Sequence, residues 1–216
     1  MIKIEKVDVY GWEAAIRGMR NPMNSWDKSD SDCKTIIKDD GKYVDFIGEN
    51  DLKLMKKLCA AGTDHRKFLR MITVTVDIVA PLYWWKEYDT YKVGTVANSC
   101  STMHKIHAKE FTIWDFSCEH LLPSARRNLE STIDLLNEYR KEYNVDDKPE
   151  VKKTYWWQMI QLLPSSYNQR RTVQLNYEVL ANMYHARKAH KLDEWRMFCG
   201  WIETLPLAED LICGNR

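Results

Sequence analysis

The spacing of hydrophobic and polar residues along the 216-residue chain predicts three strands. Residues 71–79 are rich in β-branched side chains and partly alternate, which predicts a central strand with one well-buried face. Pro81 is expected to end this strand because proline has no backbone N–H to donate to a ladder. Residues 2–7 alternate as a half-buried strand, and residues 42–46 form a short strand after a turn signal at 39–41.

Hydrophobic residues three and four positions apart predict helices in much of the remaining chain. The predicted helices cover residues 12–19, 51–61, 82–88, 124–143, 155–163 and 193–203. Within the stretch 162–190, the sequence also predicts one long helix that carries Asn176, Asn182 and Arg187. Residues 25–32 are polar enough to form a surface loop or, alternatively, a lid.

Composition and charge exclude several classes of partner. With 44% hydrophobic and 29% charged residues, the chain is typical of a globular protein that buries a full core. The formal net charge of +1 gives no positive excess for holding a phosphate backbone, so we expect no nucleic-acid partner. No apolar run approaches the roughly 20 residues that span a bilayer, so we expect a cytoplasmic protein without membrane contacts.

Six cysteines are scattered along the chain without a CxxC or CxxH pair. The sequence therefore predicts neither a metal site nor a disulfide framework. Cys100 lies inside a polar motif, where it is either a nucleophile or a packing residue.

The stretch 78–104 changes from apolar to polar and aromatic, and it contains the small polar run Asn98-Ser99-Cys100-Ser101. Such side chains contribute little to a core but form good hydrogen bonds, so this change predicts a functional site. Trp84-Trp85 and Trp156-Trp157 belong to an aromatic-rich composition of nine tryptophans and eleven tyrosines. These pairs either stack on a flat ligand or pack in a core or subunit interface.

The order of several short motifs supports a comparison with a known family. The motifs are a helix ending in glycine, His65, a strand closing in Ala80-Pro81, an NxxS motif at 98–101, Leu163-Pro164, and the trio Asn176, Asn182 and Arg187. In this order and spacing, the chain resembles the flavin-dependent thymidylate synthases, also called the thymidylate synthase complementing family. The similarity covers most of the chain.

This resemblance implies an α+β fold in which a small antiparallel-type sheet packs with helices, as a single domain over residues 1–216. It implies a homotetramer that converts the pyrimidine deoxynucleotide dUMP to dTMP by reductive methylation. The implied cofactors are FAD, NADPH and methylenetetrahydrofolate. With these ligands, the protein mainly positions flat rings and stabilises charge.

The resemblance also implies roles for individual residues. Ser99, Ser101 and Arg187 correspond to positions that bind the nucleotide, and Ser101 is the residue assigned to catalysis. The positions that correspond to the flavin site are His65, Asn98, Asn176 and Asn182.

The chain departs from the family in its charged residues. Tyr91-Lys92-Val93 stands where the family has an Arg-His-Arg cluster, and Ile160 stands where another arginine is expected. A later glutamate is also missing. Either nearby basic residues replace these charges, or they are solvated surface residues: Lys86, Lys92, His104, Lys105, Arg170 and Arg171. Two alternatives therefore stay open: a divergent enzyme that modifies C5 of another pyrimidine nucleotide or transfers hydroxymethyl, and a non-catalytic binding homologue.

Overall fold

The computed structural model describes residues 2–37 and 43–214, without the side chains of residues 33–37 and 43–45. The turn predicted at 39–41 lies outside the described residues. Within the described ranges, no helix is both long and apolar enough to cross a membrane.

The strands build two sheets. They are β1 (Lys3–Tyr10), β2 (Asp32–Ile37), β3 (Tyr43–Phe46), β4 (Thr73–Pro81), β5 (Val96–Ser99) and β6 (Asn168–Asn176). A four-stranded antiparallel sheet has the order β1-β4-β6-β5, and β2 pairs with β3 as an antiparallel ribbon. The prediction of a central strand ending at Pro81 is confirmed, because β4 lies between two neighbours and its last residue is Pro81.

Six of the helices lie at predicted positions, although α5 begins at Pro149, six residues before its predicted start. They are α1 (Trp12–Arg20), α2 (Glu49–Ala60), α3 (Leu82–Tyr88), α4 (Pro123–Val145), α5 (Pro149–Leu162), α6 (Tyr177–Arg187) and α7 (Asp193–Ile202), with a π-helical turn at Glu209–Cys213. Pro123 and Pro149 occupy the first turn of α4 and α5, where the missing N–H costs nothing.

The prediction of one long helix carrying Asn176, Asn182 and Arg187 is wrong. Residues 168–176 form β6, and the helix begins only at Tyr177. The physical reason is that buried residues recur at every second position, as in a strand. Val173 and Leu175 are buried, whereas Thr172 and Gln174 are exposed. The sequence analysis also missed β2 and β5.

The chain divides into two compact units. Unit 1 comprises Met1–Lys3, Asp77–Thr90 and Asn98–Thr172, and unit 2 comprises Ile4–Val76, Tyr91–Ala97 and Val173–Arg216. The prediction of a single domain over residues 1–216 stays a prediction.

Each unit has its own hydrophobic core. In unit 1, α4 and α5 pack around the buried residues Ile106, Phe111, Phe116, Leu129, Ile133, Leu136 and Met159. In unit 2, the Trp12 ring meets the Tyr177 ring edge-on at 5.4 Å, and both side chains are buried. Gly11 precedes α1 with φ +94°, and a Cβ there would lie 2.1 Å from the Met71 carbonyl oxygen. Only glycine fits this close backbone approach.

Candidate functional site

The predicted site residues are divided between the two units. Unit 2 contains His65, Asn176, Asn182 and Arg187, and unit 1 contains Asn98, Ser99 and Ser101. Residues of the same unit support Arg187, Asn176 and Ser101.

Arg187 is the last residue of α6 and is held by two aromatic rings of unit 2. Its Nε donates a hydrogen bond to the Tyr91 hydroxyl at 2.9 Å. Its guanidinium carbon lies 4.8 Å from the Trp195 ring centroid and 5.6 Å from the Tyr91 ring centroid. These cation–π contacts and the hydrogen bond fix the orientation of a half-buried positive charge. The roles of Tyr91 and Trp195 in supporting Arg187 were not predicted from the sequence.

Asn176 is the N-cap of α6 rather than a residue inside a helix. Its Oδ1 accepts a hydrogen bond from the Val179 backbone N–H at 3.0 Å, which satisfies a donor in the first turn. Its Nδ2 lies 3.1 Å from the point where a Cβ on Gly94 would stand, and Gly94 has φ +80°. Asn176 therefore has a structural role, whatever it contributes to a ligand.

His65 and Asn182 are exposed. Directly after His65, Arg66 forms a buried ion pair with Glu178 in the first turn of α6. Arg66 Nε and Nη2 donate to the two carboxylate oxygens of Glu178 at 2.8 and 3.0 Å. A bidentate arginine–carboxylate pair restricts orientation as well as distance. The Arg66–Glu178 pair joins the segment at His65 to α6. This link was not predicted, because the two residues are 112 positions apart in the sequence.

In unit 1, Asn98 and Ser99 are exposed on β5, the edge strand of the four-stranded sheet. Ser101 Oγ accepts hydrogen bonds from the backbone N–H groups of Met103 and His104, at 3.2 and 3.0 Å. This hydroxyl stabilises its own turn and still has a proton to donate.

Cys100 is exposed, and its backbone pairs with β6. Its N–H donates to the Arg170 carbonyl at 2.9 Å, and its carbonyl accepts from Gln169 Nε2 at 2.8 Å. These contacts fix the backbone of the motif. The role of its thiol, as a nucleophile or a packing residue, stays a prediction.

Arg171, one of the predicted replacements for the missing charges, is already engaged inside unit 1. Its Nη1 lies 2.8 Å from Asp89 Oδ1, its Nε donates to Gln169 Oε1 at 3.0 Å, and its guanidinium carbon lies 4.3 Å from the Trp85 ring centroid. Trp84 and Trp85 are both buried, which favours packing over ligand stacking for this pair. Trp156 donates to the Met103 carbonyl at 2.7 Å and so fixes the loop after Ser101.

The polar segment at 25–32 is anchored in unit 2 by a buried ion pair. Arg20 Nε donates to Asp51 Oδ1 at 2.6 Å, and the Ser29 and Ser31 hydroxyls each donate to Asp51 Oδ2 at 2.7 Å. Burial raises the pKa of Asp51, but the hydrogen bonds from Ser29, Ser31 and Arg20 outweigh it and lower the pKa below its usual value. Beside this network, a cavity of about 460 Å³ is lined by Glu13, Ile16, Arg17, Arg20, Trp26, Ser29, Ser31 and Asp32.

Among the described residues, no group of three or more His, Cys, Asp or Glu side chains is placed to hold a metal ion. The chemistry of the candidate residues is instead that of amides, hydroxyls, an imidazole and an oriented guanidinium. Such groups hydrogen-bond the edges of flat heterocycles and bind anions.

A four-stranded antiparallel sheet with seven α-helices in the described ranges defines the chain as an α+β protein. No protein-family model and no curated protein matches its sequence. Its fold does match solved structures. Two are structures of the flavin-dependent thymidylate synthase of Helicobacter pylori with FAD and dUMP, each 15% identical to this chain, with TM-scores of 0.66 and 0.62. The alignments cover 98% and 96% of this chain, and 97% and 98% of the bacterial chain.

A third match is the UMP/dUMP methylase PolB from Streptomyces cacaoi bound with 5-Br dUMP. It is 12% identical, with a TM-score of 0.59, and the alignment covers 99% of this chain and 95% of that one. The chain therefore has the fold of the flavin-dependent thymidylate synthases, and the expected fold class is confirmed.

Proposed function

We propose that the chain is a flavin-dependent enzyme that methylates C5 of dUMP to give dTMP, with methylenetetrahydrofolate as the carbon donor and NADPH as the reductant. The observation that carries this proposal is the match to the H. pylori enzyme with FAD and dUMP, which extends over 98% of this chain and 97% of that one. We further propose a homotetramer in the cytoplasm, as the family resemblance implies.

The family resemblance implies the proposed roles, and the chemistry of the residues suits them. Arg187 presents a charge whose orientation is already fixed by Tyr91 and Trp195, which suits an anionic nucleotide. Ser101 keeps a hydroxyl proton that suits a carbonyl or phosphate oxygen, and Asn98 and Ser99 lie exposed on β5.

The same chemistry fits a flavin. The exposed imidazole of His65 and the exposed amide of Asn182 match the donor and acceptor edge of an isoalloxazine ring, and Asn176 supports the start of the helix that carries Asn182. FAD, when bound, supplies hydride to the pyrimidine ring. The protein's part is to bind, orient and exclude water, because no protein nucleophile is required.

A second candidate is a divergent enzyme that modifies C5 of another pyrimidine nucleotide. Two observations favour keeping it. PolB, which shares this fold, is a UMP/dUMP methylase, and Tyr91 stands in place of the family's Arg-His-Arg cluster and contacts Arg187. In the family, a local cluster of basic residues supplies the positive charge. In this chain, a neutral phenol orients one arginine that is 96 positions away in the sequence.

Two measurements test the proposal. An absorption spectrum with added FAD is expected to show bound flavin, and titration calorimetry is expected to show saturable binding of dUMP to the flavin-loaded protein. Arg187→Ala should weaken dUMP binding by about 10- to 150-fold, because a charge-assisted hydrogen bond is worth about 1.5–3 kcal/mol. Tyr91→Phe should give a smaller loss, because the ring remains but the hydrogen bond to Nε is removed.

The matched control is Lys188→Ala, which removes the exposed positive charge next to Arg187. It should leave dUMP affinity nearly unchanged. Unchanged affinity in both Arg187→Ala and Ser101→Ala would contradict the assigned roles, and absence of flavin binding would favour a non-catalytic homologue.

A further inference from the structure

Four basic side chains of unit 1 form a cluster, of which only Lys105 was considered above as a replacement for the missing charges: Lys105, His107, Arg140 and Lys152. They come from three segments, because Lys105 and His107 belong to a loop, Arg140 to α4 and Lys152 to α5. Tyr143 of α4 joins two of them. The His107 ring centroid lies 4.3 Å from that of Tyr143, and Lys152 Nζ lies 5.3 Å from the same ring.

Two nitrogen atoms of this cluster are buried without a hydrogen-bond partner among the described residues. They are Nδ1 of His107 and Nε of Arg140. An arginine Nε always carries a proton and can only donate, whereas a neutral imidazole donates from Nδ1 in only one of its two tautomers. Buried polar atoms without partners are uncommon in native proteins, so Arg140 Nε needs an acceptor atom from another source.

The charges that act on His107 in this cluster are all positive. Burial is the largest cause of the lowered pKa of His107, followed by the charges of Lys105, Lys152 and Arg140. In the part of the chain that the structure describes, no carboxylate forms an ion pair with any of these three cations. Positive charge is therefore concentrated beside buried nitrogen atoms, and no carboxylate of the described residues is paired with it.

We propose that Lys105, His107, Arg140 and Lys152 form a binding site for a phosphate group. A phosphate supplies several acceptor oxygens and negative charge together, which are the two properties that the cluster lacks. Arginine can bind it through paired N–H groups, and lysine contributes a mobile point charge at the rim. Inorganic phosphate and the phosphate ester of a nucleotide share this chemistry.

The test is titration calorimetry of the full chain with inorganic phosphate at constant ionic strength, with chloride as the reference anion. The expected result is saturable phosphate binding that Arg140→Gln and Lys152→Gln each weaken by about tenfold or more. The matched controls are Lys141→Gln and Lys153→Gln, which remove the exposed charges next to Arg140 and Lys152. They should change phosphate affinity less than about twofold.

Circular dichroism identifies any variant that fails to fold, and Lys152→Gln at the rim keeps the test valid if Arg140→Gln is such a variant. The proposal is overturned if the wild-type chain shows no saturable phosphate binding. It is also overturned if the control variants lose as much affinity as Arg140→Gln and Lys152→Gln, because that result would indicate diffuse surface charge.

Competition experiments identify the source of the phosphate in a successful test. If dUMP displaces inorganic phosphate whereas deoxyuridine does not, and Arg140→Gln weakens dUMP binding, the site holds the phosphate of the nucleotide. If dUMP binds without displacing phosphate, the site takes a separate phosphate group. Either result supports the site itself, and neither depends on the proposed methylation.

Discussion

The two units of the chain support their candidate site residues in different ways. In unit 2, Arg187 is held by Tyr91 and Trp195, and Asn176 caps the helix that ends at Arg187. In unit 1, Asn98 and Ser99 lie exposed on an edge strand, and the Ser101 hydroxyl stabilises only its own turn. Contacts with other parts of unit 2 thus fix Arg187, whereas the Ser101 hydroxyl of unit 1 contacts only the backbone two and three residues further along the chain.

This difference bears on the energetics of binding. Ordering a flexible side chain on binding costs about 0.5–1.5 kcal/mol. For Arg187 that cost has already been met during folding, because two rings and a hydroxyl fix its guanidinium. Asn98 and Ser99 are exposed on β5, so on our proposal the ligand would have to order their side chains.

The largest effect on unit 2 is expected when the buried Arg66–Glu178 ion pair, which supports the start of α6, is removed. Glu178→Ala leaves Arg66 as an uncompensated buried charge, so we expect the free energy of unfolding to fall by about 3–5 kcal/mol. Urea unfolding followed by tryptophan fluorescence measures the loss. The exposed Arg17–Glu13 pair is the control, because Glu13→Ala should cost less than about 1 kcal/mol. Equal losses for the two variants would contradict the role assigned to burial.

A second prediction concerns pH and the anchored segment of unit 2. The folded-state pKa of Asp51 is lowered, so its stabilising contribution is full above the unfolded pKa of about 3.9 and is lost as pH falls through the folded value. Ser29→Ala removes a 2.7 Å hydrogen bond to the carboxylate, which should shift acid unfolding to higher pH. Circular dichroism against pH gives the midpoint. Ser25→Ala, in the same segment, should leave the midpoint in place.

A smaller effect is expected at the N-cap of α6. Asn176→Ala should lower the free energy of unfolding by about 1 kcal/mol, because the Val179 N–H loses its acceptor. Asn176→Asp retains an acceptor oxygen and should preserve most of the stability. Chemical denaturation distinguishes the two. If Asn176→Asp keeps the stability but weakens flavin binding, the amide N–H₂ group has a ligand role in addition to the cap.

The smallest effect on stability is expected at Ser101. Its hydroxyl accepts hydrogen bonds from two backbone N–H groups in an exposed turn, where water can replace it, so Ser101→Ala should cost no more than about 1 kcal/mol. The same variant should weaken nucleotide binding if the assigned role is correct. A loss of stability as large as that of Glu178→Ala would erase the contrast between the two units.

Much of this fold is predictable from local sequence because the signals are strong. Pro81 ends β4, α3 covers the predicted residues 82–88, and the apolar stripe of α4 is buried as its spacing indicates. Strand β6 is the instructive failure. Its first four residues, 168–171, are all polar, and only the short alternation at residues 172–175 distinguishes the segment from a helix.

The residues that contact the candidate site residues were not predicted from the sequence. Asn176 and Arg187 follow from the family resemblance, but Tyr91 lies 96 positions from Arg187 and Arg66 lies 112 positions from Glu178. Contacts at such separations depend on the tertiary fold, and neither spacing nor composition encodes them locally. One signal was present in the sequence, because Tyr91 stands where an arginine cluster was expected.

Anaerobic reoxidation of reduced flavin tests the central claim most directly. The protein is loaded with FAD, reduced with NADPH, and mixed with dUMP and methylenetetrahydrofolate, while absorbance follows the flavin and mass spectrometry identifies the nucleotide product. Our account predicts flavin reoxidation that requires both the nucleotide and the folate, and that yields dTMP. Reduced flavin that stays reduced with every pyrimidine nucleotide supplied, including dCMP and UMP, would contradict it.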